Sequence, residues 1–236
     1  MILSRAQIEE MASAAIADFF GNIEGRMAAI DIDRFAKEYL KLSVSFTRLS
    51  EDGSLCGITA YADTEYQIEE MGIVRTIPLK QNQVLLDSSF IIPSQCRKLC
   101  GKRRFTLSHE CAHHLLYQLE ADAAQASCRR MYAERTAYSL RELKSKEDWN
   151  EWQANVMGAA LLMPPQLIDL LMFRFAPNRK LTAYGYKFEY RDELAISLMC
   201  QFLGVSKTAL VIRLRELGFL EDRPYVDYHS PLEVWA

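Results

Sequence analysis

The chain has 236 residues, of which 50% are hydrophobic and 25% charged, and its formal net charge is −3. These values are typical of an ordinary globular protein with one large domain or two small ones. The small net charge gives no general attraction to nucleic acid or to a membrane, and no apolar run approaches the roughly 20 residues that span a bilayer. The first ten residues lack the apolar segment of a signal peptide, so we expect a cytoplasmic protein without a membrane partner.

The six cysteines fit that compartment, where thiols stay reduced. Four of them are scattered along the sequence. Cys96 and Cys100 are separated by three residues, which is the wrong spacing for a zinc knuckle. We therefore predict no disulfide and no second metal site.

The first ninety residues predict two helices followed by strands. Apolar residues at helical spacing indicate a helix over residues 5–20, ended by Gly21-Asn22, and a second helix capped by Asp31 or Asp33. Residues 63–72 are acidic and weakly patterned. Helices together with a run of strands predict an α+β fold. The predicted strands cover residues 42–46, 58–62, 73–79 and 84–87.

A basic cluster at residues 97–104 precedes the most informative stretch of the chain. It is either a contact for an acidic substrate or nucleic acid, or a solvated loop in which Arg104 pairs with an acid. No aromatic residue interleaves the basic residues, which favours the loop.

Residues 105–116 contain the pattern H-E-x-x-H at His109, Glu110 and His113. On a helix, residues i and i+4 share a face with β-carbons roughly 5–6 Å apart, so both imidazoles can reach one Zn²⁺ at about 2.0–2.1 Å. Glu110 lies about 100° round the helix, beside the metal, where it can act as a general base on a bound water. The alternative is a buried helix whose histidines only form hydrogen bonds. Because burying two uncompensated histidines is costly, the metal interpretation is favoured.

A third ligand is needed, and residues 151–163 predict a second buried helix, which Pro164-Pro165 ends. Glu151 falls in its predicted first turn, with Asn155 one turn further along the same face, where the amide can support a ligating histidine. The alternative for Glu151 is an ordinary first-turn acid favoured by the helix dipole. Glu147 and Asp148 are rival carboxylates, although neither has an Asn or Asp four residues on.

The H-E-x-x-H pattern followed by E-x-x-A-N-x-x-x-A-x-L-L-M-P resembles the ImmA/IrrE family of zinc metallopeptidases, and the resemblance can be followed from about residue 25 to residue 220. It implies a zincin-like metallopeptidase in which a small N-terminal sheet packs on the H-E-x-x-H helix. An edge strand of that sheet would hold an extended substrate. It also implies His109, His113 and Glu151 as zinc ligands and Glu110 as the catalytic acid and base. One departure is Ala112, where the family usually has glycine; alanine is small and a better helix former.

The resemblance further implies a narrow protein target, which we expect to be a helix–turn–helix transcriptional repressor whose cleavage relieves repression. A second hypothesis is a DNA-binding or regulatory protein with a structural metal site, although an intact Glu110 argues against it. A third is another H-E-x-x-H hydrolase, such as a deformylase-like amidase, which would place its third ligand at a different spacing.

The C-terminal third predicts a helix over residues 167–175 and an aromatic loop over the cleft at residues 176–190, where a tyrosine hydroxyl can donate to an oxyanion or simply pack. A helix–turn–helix cadence follows, with Gly204 at the turn and Ser206 as cap. Its second helix carries few cations diluted by acids, so we expect no nucleic-acid binding. The predicted domains are residues 1–190 (peptidase), 191–220 (helix–turn–helix-like unit packed on it) and 221–236 (tail).

Overall fold

The structure is a computed structural model, and it describes residues 2–25, 27–70, 72–119, 128–130, 146–177 and 179–228. The chain divides into two compact units, one formed by Met1–Gly21 with Asp31–Leu162 and the other by Asn22–Ile30 with Met163–Ala236. Seven helices and three small sheets in the described residues confirm the α+β class. The division into a peptidase domain and a helix–turn–helix-like unit concerns function, and it stays a prediction.

Helices α1 and α2 of the first unit begin where the sequence predicts. The Ser4 side chain accepts a hydrogen bond from Gln7 N at the start of α1, and the Asp31 side chain accepts one from Arg34 N at the start of α2. Beyond α2 the chain continues in wider turns to Tyr39. The bounds of the helices are α1 Arg5–Phe20, α2 Ile32–Arg34, α3 Cys96–Tyr117 and α4 Lys146–Leu162.

Strands of the first unit form a four-stranded mixed sheet and a separate hairpin. In the sheet, of order β1-β5-β2-β6, β1 is parallel to β5, whereas β2 is antiparallel to both of its neighbours. The antiparallel hairpin pairs β3 with β4. The bounds are β1 Ser43–Thr47, β2 Gly57–Ala60, β3 Thr64–Glu70, β4 Ile73–Leu79, β5 Gln83–Asp87 and β6 Cys128–Arg130.

Strand β2 is buried on both faces, and this property positions the site. Ile58 and Ala60 belong to a core cluster shared with the hairpin β3-β4. Because side chains alternate along a strand, Gly57 and Thr59 point to the opposite face. There they meet α3, where the Thr59 hydroxyl bonds to Glu110.

Helix α3 begins at Cys96, before the stretch 105–116 that contains the motif, so the basic cluster lies on a helix. The prediction of a solvated loop was therefore wrong. Arg103 forms two hydrogen bonds with Asp33, Nη1 to Oδ1 at 2.8 Å and Nη2 to Oδ2 at 2.6 Å. This pair ties α2 to α3 and compensates one of the cluster's charges.

The second unit contains a three-stranded sheet of order β8-β7-β9 and three helices. Two predictions were wrong here. The loop expected at residues 176–190 contains the hairpin β7-β8, and the expected tail begins with β9, which pairs in parallel with β7. Residues 229–236 of that tail lie outside the described residues. The bounds are α5 Pro165–Phe175, β7 Leu181–Tyr184, β8 Lys187–Phe188, α6 Tyr190–Leu203, α7 Lys207–Glu216 and β9 Leu220–Arg223.

The turn between α6 and α7 follows the predicted pattern. Gly204 ends α6 in the left-handed region, with φ 64°. The Ser206 side chain accepts a hydrogen bond from Ala209 N at the start of α7. Buried Asp192 fastens α6 to β7, because its carboxylate accepts hydrogen bonds from Thr182 N and from Arg179.

No single helix in the described part of the chain is long and apolar enough to cross a membrane. The pairs α4–α5 and α6–α7 reach the required length and composition only when each is joined across the break between its helices.

Candidate metal centre

Helices α3 and α4 approach each other closely at Gly158. A β-carbon at this position would lie 3.1 Å from His109 N, so a side chain would fit here only if the two helices moved slightly apart. Ser108 Oγ donates to Gly158 O at 2.8 Å and holds the two helices together. Glu151, Asn155 and Gly158 are spaced i, i+4 and i+7, which places them on the one face of α4 that meets the motif helix.

Helix α4 is also held from the side of α1. Leu3 N donates to Gln153 Oε1 at 2.7 Å, and the Arg5 guanidinium lies over the Trp152 ring. Gln153 and Trp152 are both buried. The face that carries Glu151 is therefore fixed in rotation by contacts on two sides of the helix.

The two histidines of α3 and Glu151 of α4 form one group of possible metal ligands. Their donor atoms all lie within 4.8 Å of one another. His109 Nε2 is 3.2 Å from Glu151 Oε2, and His113 Nε2 is 3.2 Å from Glu151 Oε1. Both histidines are buried, whereas the Glu151 side chain is 14% exposed. The site therefore reaches solvent at the carboxylate.

This donor set fits a divalent metal ion. Ligands bound tetrahedrally at 2.0–2.1 Å lie about 3.3 Å apart, which is close to the two observed separations of 3.2 Å. Neither ring nitrogen of His113 forms a well-directed hydrogen bond within the described residues, and Nε2 has only the Glu151 carboxylate beside it at 3.2 Å, as expected for a nitrogen placed to bind a metal ion. Two imidazoles and one carboxylate form a common ligand set for Zn²⁺ in hydrolases.

The position of Glu151 in α4 excludes the simpler explanation of this residue. The helix begins at Lys146, so Glu151 lies in its second turn and not in the first turn, where the dipole favours acids. Asp148 does not belong to the group of possible ligands. The side chain of the other rival, Glu147, lies outside the described residues.

Asn155 contacts the far side of the His109 ring. Its Oδ1 lies 3.1 Å from His109 Nδ1. A proton on Nδ1 that is donated to this oxygen leaves a lone pair on Nε2, the atom that faces Glu151. The contact therefore selects the tautomer that can bind a metal. The supporting role of Asn155 stays a prediction.

Glu151 is ionised over the whole physiological range. Burial would raise its pKa, but the contacts with His109 and His113 outweigh this effect and lower the pKa to about 2. The centre thus offers one fixed negative charge to a cation, beside two imidazoles that bind metal in their neutral form.

The Glu110 side chain reaches β2 while its charge still interacts with His109, His113 and Glu151. Its side chain is fully buried, and Oε2 accepts a hydrogen bond of 2.6 Å from Thr59 Oγ1. Oε1 has no hydrogen-bond partner among the described residues. Burial raises the pKa of Glu110, although His109, His113 and the bond from Thr59 oppose the change. A raised pKa makes this carboxylate a stronger proton acceptor than an exposed one.

A cavity of about 530 Å³ lies beside the C-terminal end of α3, with Tyr61, His114 and Tyr117 among its lining residues. None of the possible metal ligands lines it. The Tyr61 and Tyr117 rings stack with centroids 3.7 Å apart on one side. The cavity is therefore a neighbour of the candidate metal centre and not its opening.

Two residues of the site have no signal in the sequence. Gly57 and Thr59 sit in a short strand more than fifty residues before Glu110, so no local pattern links them to the motif. A tyrosine at residues 176–190 was predicted as a possible oxyanion donor. Tyr184 OH donates to Glu189 Oε1 at 2.9 Å, so its proton is engaged within the second unit.

No protein-family model matches the chain, and no curated protein matches it. The structure itself shows a buried His–His–Glu group on two helices, which is consistent with an H-E-x-x-H site. The narrower assignment to a family rests on the sequence resemblance alone.

Proposed function

We propose that this protein is a cytoplasmic zinc-dependent endopeptidase. The observation that carries the proposal is the joint placement of two kinds of group. Three metal-ligating side chains converge between α3 and α4, and the residue after His109 on α3, Glu110, presents a buried carboxylate with one oxygen free of hydrogen bonds in the described structure. A purely structural metal site has no use for such an acid. The resemblance to the ImmA/IrrE family supports the same activity and a zincin-like fold.

Each residue of the site has its own role in this proposal. His109, His113 and Glu151 would hold the ion, and Asn155 would fix the ring of His109. Zinc in such a site supplies Lewis-acid chemistry, which polarises a carbonyl and makes water more acidic. Glu110 takes a proton from the attacking water and later gives it to the leaving amine nitrogen. Water is thereby added across one peptide bond, and the products are a carboxylate and an amine.

The substrate we propose is a specific protein, most simply a helix–turn–helix transcriptional repressor whose cleavage relieves repression. This proposal rests on the family resemblance. It implies that unrelated unfolded proteins such as casein are cleaved weakly.

A peptide mixture tests the activity even while the target protein is unidentified. We expect the zinc-loaded protein, incubated with a tryptic digest of a cell lysate, to generate a small set of new peptide termini detected by mass spectrometry. These termini should disappear when a chelator removes the metal and return when zinc is restored. An identical set of termini with and without zinc would contradict a metallopeptidase.

A DNA-binding protein is the second candidate, and one observation favours it. Helices α6 and α7 meet at an angle of 105°, within the range of about 90–120° found in helix–turn–helix motifs. The cations of α7 argue against it. Lys207 pairs with Glu193, Arg215 pairs with Asp222, and Arg213 is fully buried with its Nε bonded to Met163 O.

Because specific DNA binding usually rests on about 6–10 phosphate contacts, we expect no sequence-specific binding by the whole protein. The measurement is an electrophoretic mobility shift with random duplex pools at low and moderate salt. Recovery of a preferred duplex, whose binding is lost in Lys207→Glu, would revive the DNA-binding hypothesis.

A further inference from the structure

The two oxygens of the Glu110 carboxylate have different surroundings. Oε2 accepts the 2.6 Å hydrogen bond from Thr59 Oγ1, whereas Oε1 has no hydrogen-bond partner in the described part of the chain. At this separation the hydroxyl forms a close hydrogen bond with the carboxyl oxygen. The same hydroxyl lies 3.4 Å from the backbone oxygen of Glu110. The Thr59 hydroxyl has one proton to donate. The shorter distance indicates that the carboxylate, and not the backbone oxygen, accepts it.

The free oxygen occupies the space of a missing side chain. A β-carbon on Gly57 would lie 2.4 Å from Glu110 Oε1 and 2.8 Å from Thr106 Cγ2. Any larger residue would therefore displace the carboxylate or the strand. Gly57 and Thr59 are two residues apart on β2, so both face α3. Together they form a cradle that receives the end of Glu110.

This cradle is rigid enough to fix an orientation. Strand β2 is paired with β5 on one edge and with β6 on the other. Its opposite face packs into the hydrophobic core through Ile58 and Ala60. Thr59 is itself fully buried, and β-branched side chains have few accessible rotamers. The hydroxyl therefore has little freedom to leave the carboxylate.

We propose that Thr59 is the positioning residue of Glu110: it holds Oε2 and leaves Oε1 as the oxygen that exchanges protons with the substrate. The proposal rests on the proposed peptidase function. Without the hydroxyl, the carboxylate can rotate, and the distance from its basic oxygen to the attacking water is no longer fixed. General acid–base catalysis depends on that distance more than substrate binding does.

Two substitutions separate positioning from packing. Thr59→Val keeps the shape of the side chain and removes the hydroxyl, whereas Thr59→Ser keeps the hydroxyl and removes a methyl group. The matched control is Thr106→Val, since Thr106 Oγ1 donates to Lys102 O and not to the carboxylate. Zinc content and thermal unfolding are measured for every variant. The substrate is a synthetic copy of the peptide that the parent protein cleaves fastest in the lysate digest.

For Thr59→Val, we expect kcat to fall by about 10- to 100-fold, part of the 10²–10⁴ that proton transfer contributes, while KM stays within about twofold. Thr59→Ser should restore kcat to within about threefold of the parent, and Thr106→Val should leave it unchanged. A crystal structure of zinc-loaded Thr59→Val should show the Glu110 carboxylate rotated, and that of Thr59→Ser should show it in place.

Equal kcat in parent and Thr59→Val would overturn the positioning role while the peptidase function stands. If the parent cleaves no more than Glu110→Gln, the peptidase function itself is contradicted. The crystal structures then decide the geometric claim separately, since an unmoved carboxylate in Thr59→Val overturns it without any activity measurement.

Discussion

Glu110→Gln is expected to abolish peptide cleavage while the fold and the metal stay in place. The amide has the shape of the carboxylate, and its oxygen can still accept the hydrogen bond from Thr59. It cannot accept a proton from water at neutral pH. Proton transfer of this kind contributes a factor of about 10²–10⁴ to the rate. The cleavage rate should therefore fall by about 100-fold or more.

The measurement is the cleavage rate of the best peptide substrate, with zinc content and thermal unfolding recorded on the same samples. Glu38→Gln serves as the matched control, because it makes the same chemical change at a half-exposed side chain whose ion pair is with Arg34, one helical turn before it. If Glu110→Gln cleaves at the parent rate, Glu110 is not the catalytic acid and base.

Glu151→Ala is expected to remove the metal. Parent protein should hold about one zinc per chain, and the substitution takes away the carboxylate that lies 3.2 Å from each histidine nitrogen. Changes to the outer-shell partners of metal ligands already cost about 10- to 100-fold in affinity, so loss of a ligand should cost more. Zinc is measured by elemental analysis after dialysis against a weak chelator.

Asp148→Ala is the control for this experiment. Asp148 lies on the same helix but outside the group of possible ligands, so its removal should leave zinc in place. Asn155→Ala should lose only part of the zinc, a result between those of Asp148→Ala and Glu151→Ala, because it removes only the partner of His109 Nδ1. Full zinc occupancy in Glu151→Ala would refute the ligand assignment.

The parts of the site that the sequence predicted are those with local signals. His109 and His113 are recognisable because one helical turn separates them, and Glu151 because an amide follows at i+4 on the same helix. The structure places these three side chains together on α3 and α4. The cradle of Gly57 and Thr59 was not predictable in the same way, since it depends on a strand that meets α3 from a distant part of the chain.

The errors in the fold have a common cause. Strand β3 was missed because one face of the hairpin carries polar residues, while Tyr66 and Ile68 on the other face are buried. The first turns of α3 are basic and only partly buried, so they lack the apolar repeat that predicts a helix. Strand β9 is polar for most of its length and is held by pairing with β7. In each case the element is stabilised by strand pairing or by a residue distant in sequence, such as Asp33, and the local sequence carries no pattern that predicts it.

Anomalous diffraction at the zinc absorption edge, from crystals of the zinc-loaded protein, tests the central claim most directly. We predict one peak per chain between α3 and α4, about 2.0–2.2 Å from Nε2 of His109, Nε2 of His113 and a carboxylate oxygen of Glu151. A peak elsewhere, for instance at the exposed Cys96 and Cys100, or no peak at this site in protein that contains zinc, would contradict the assignment.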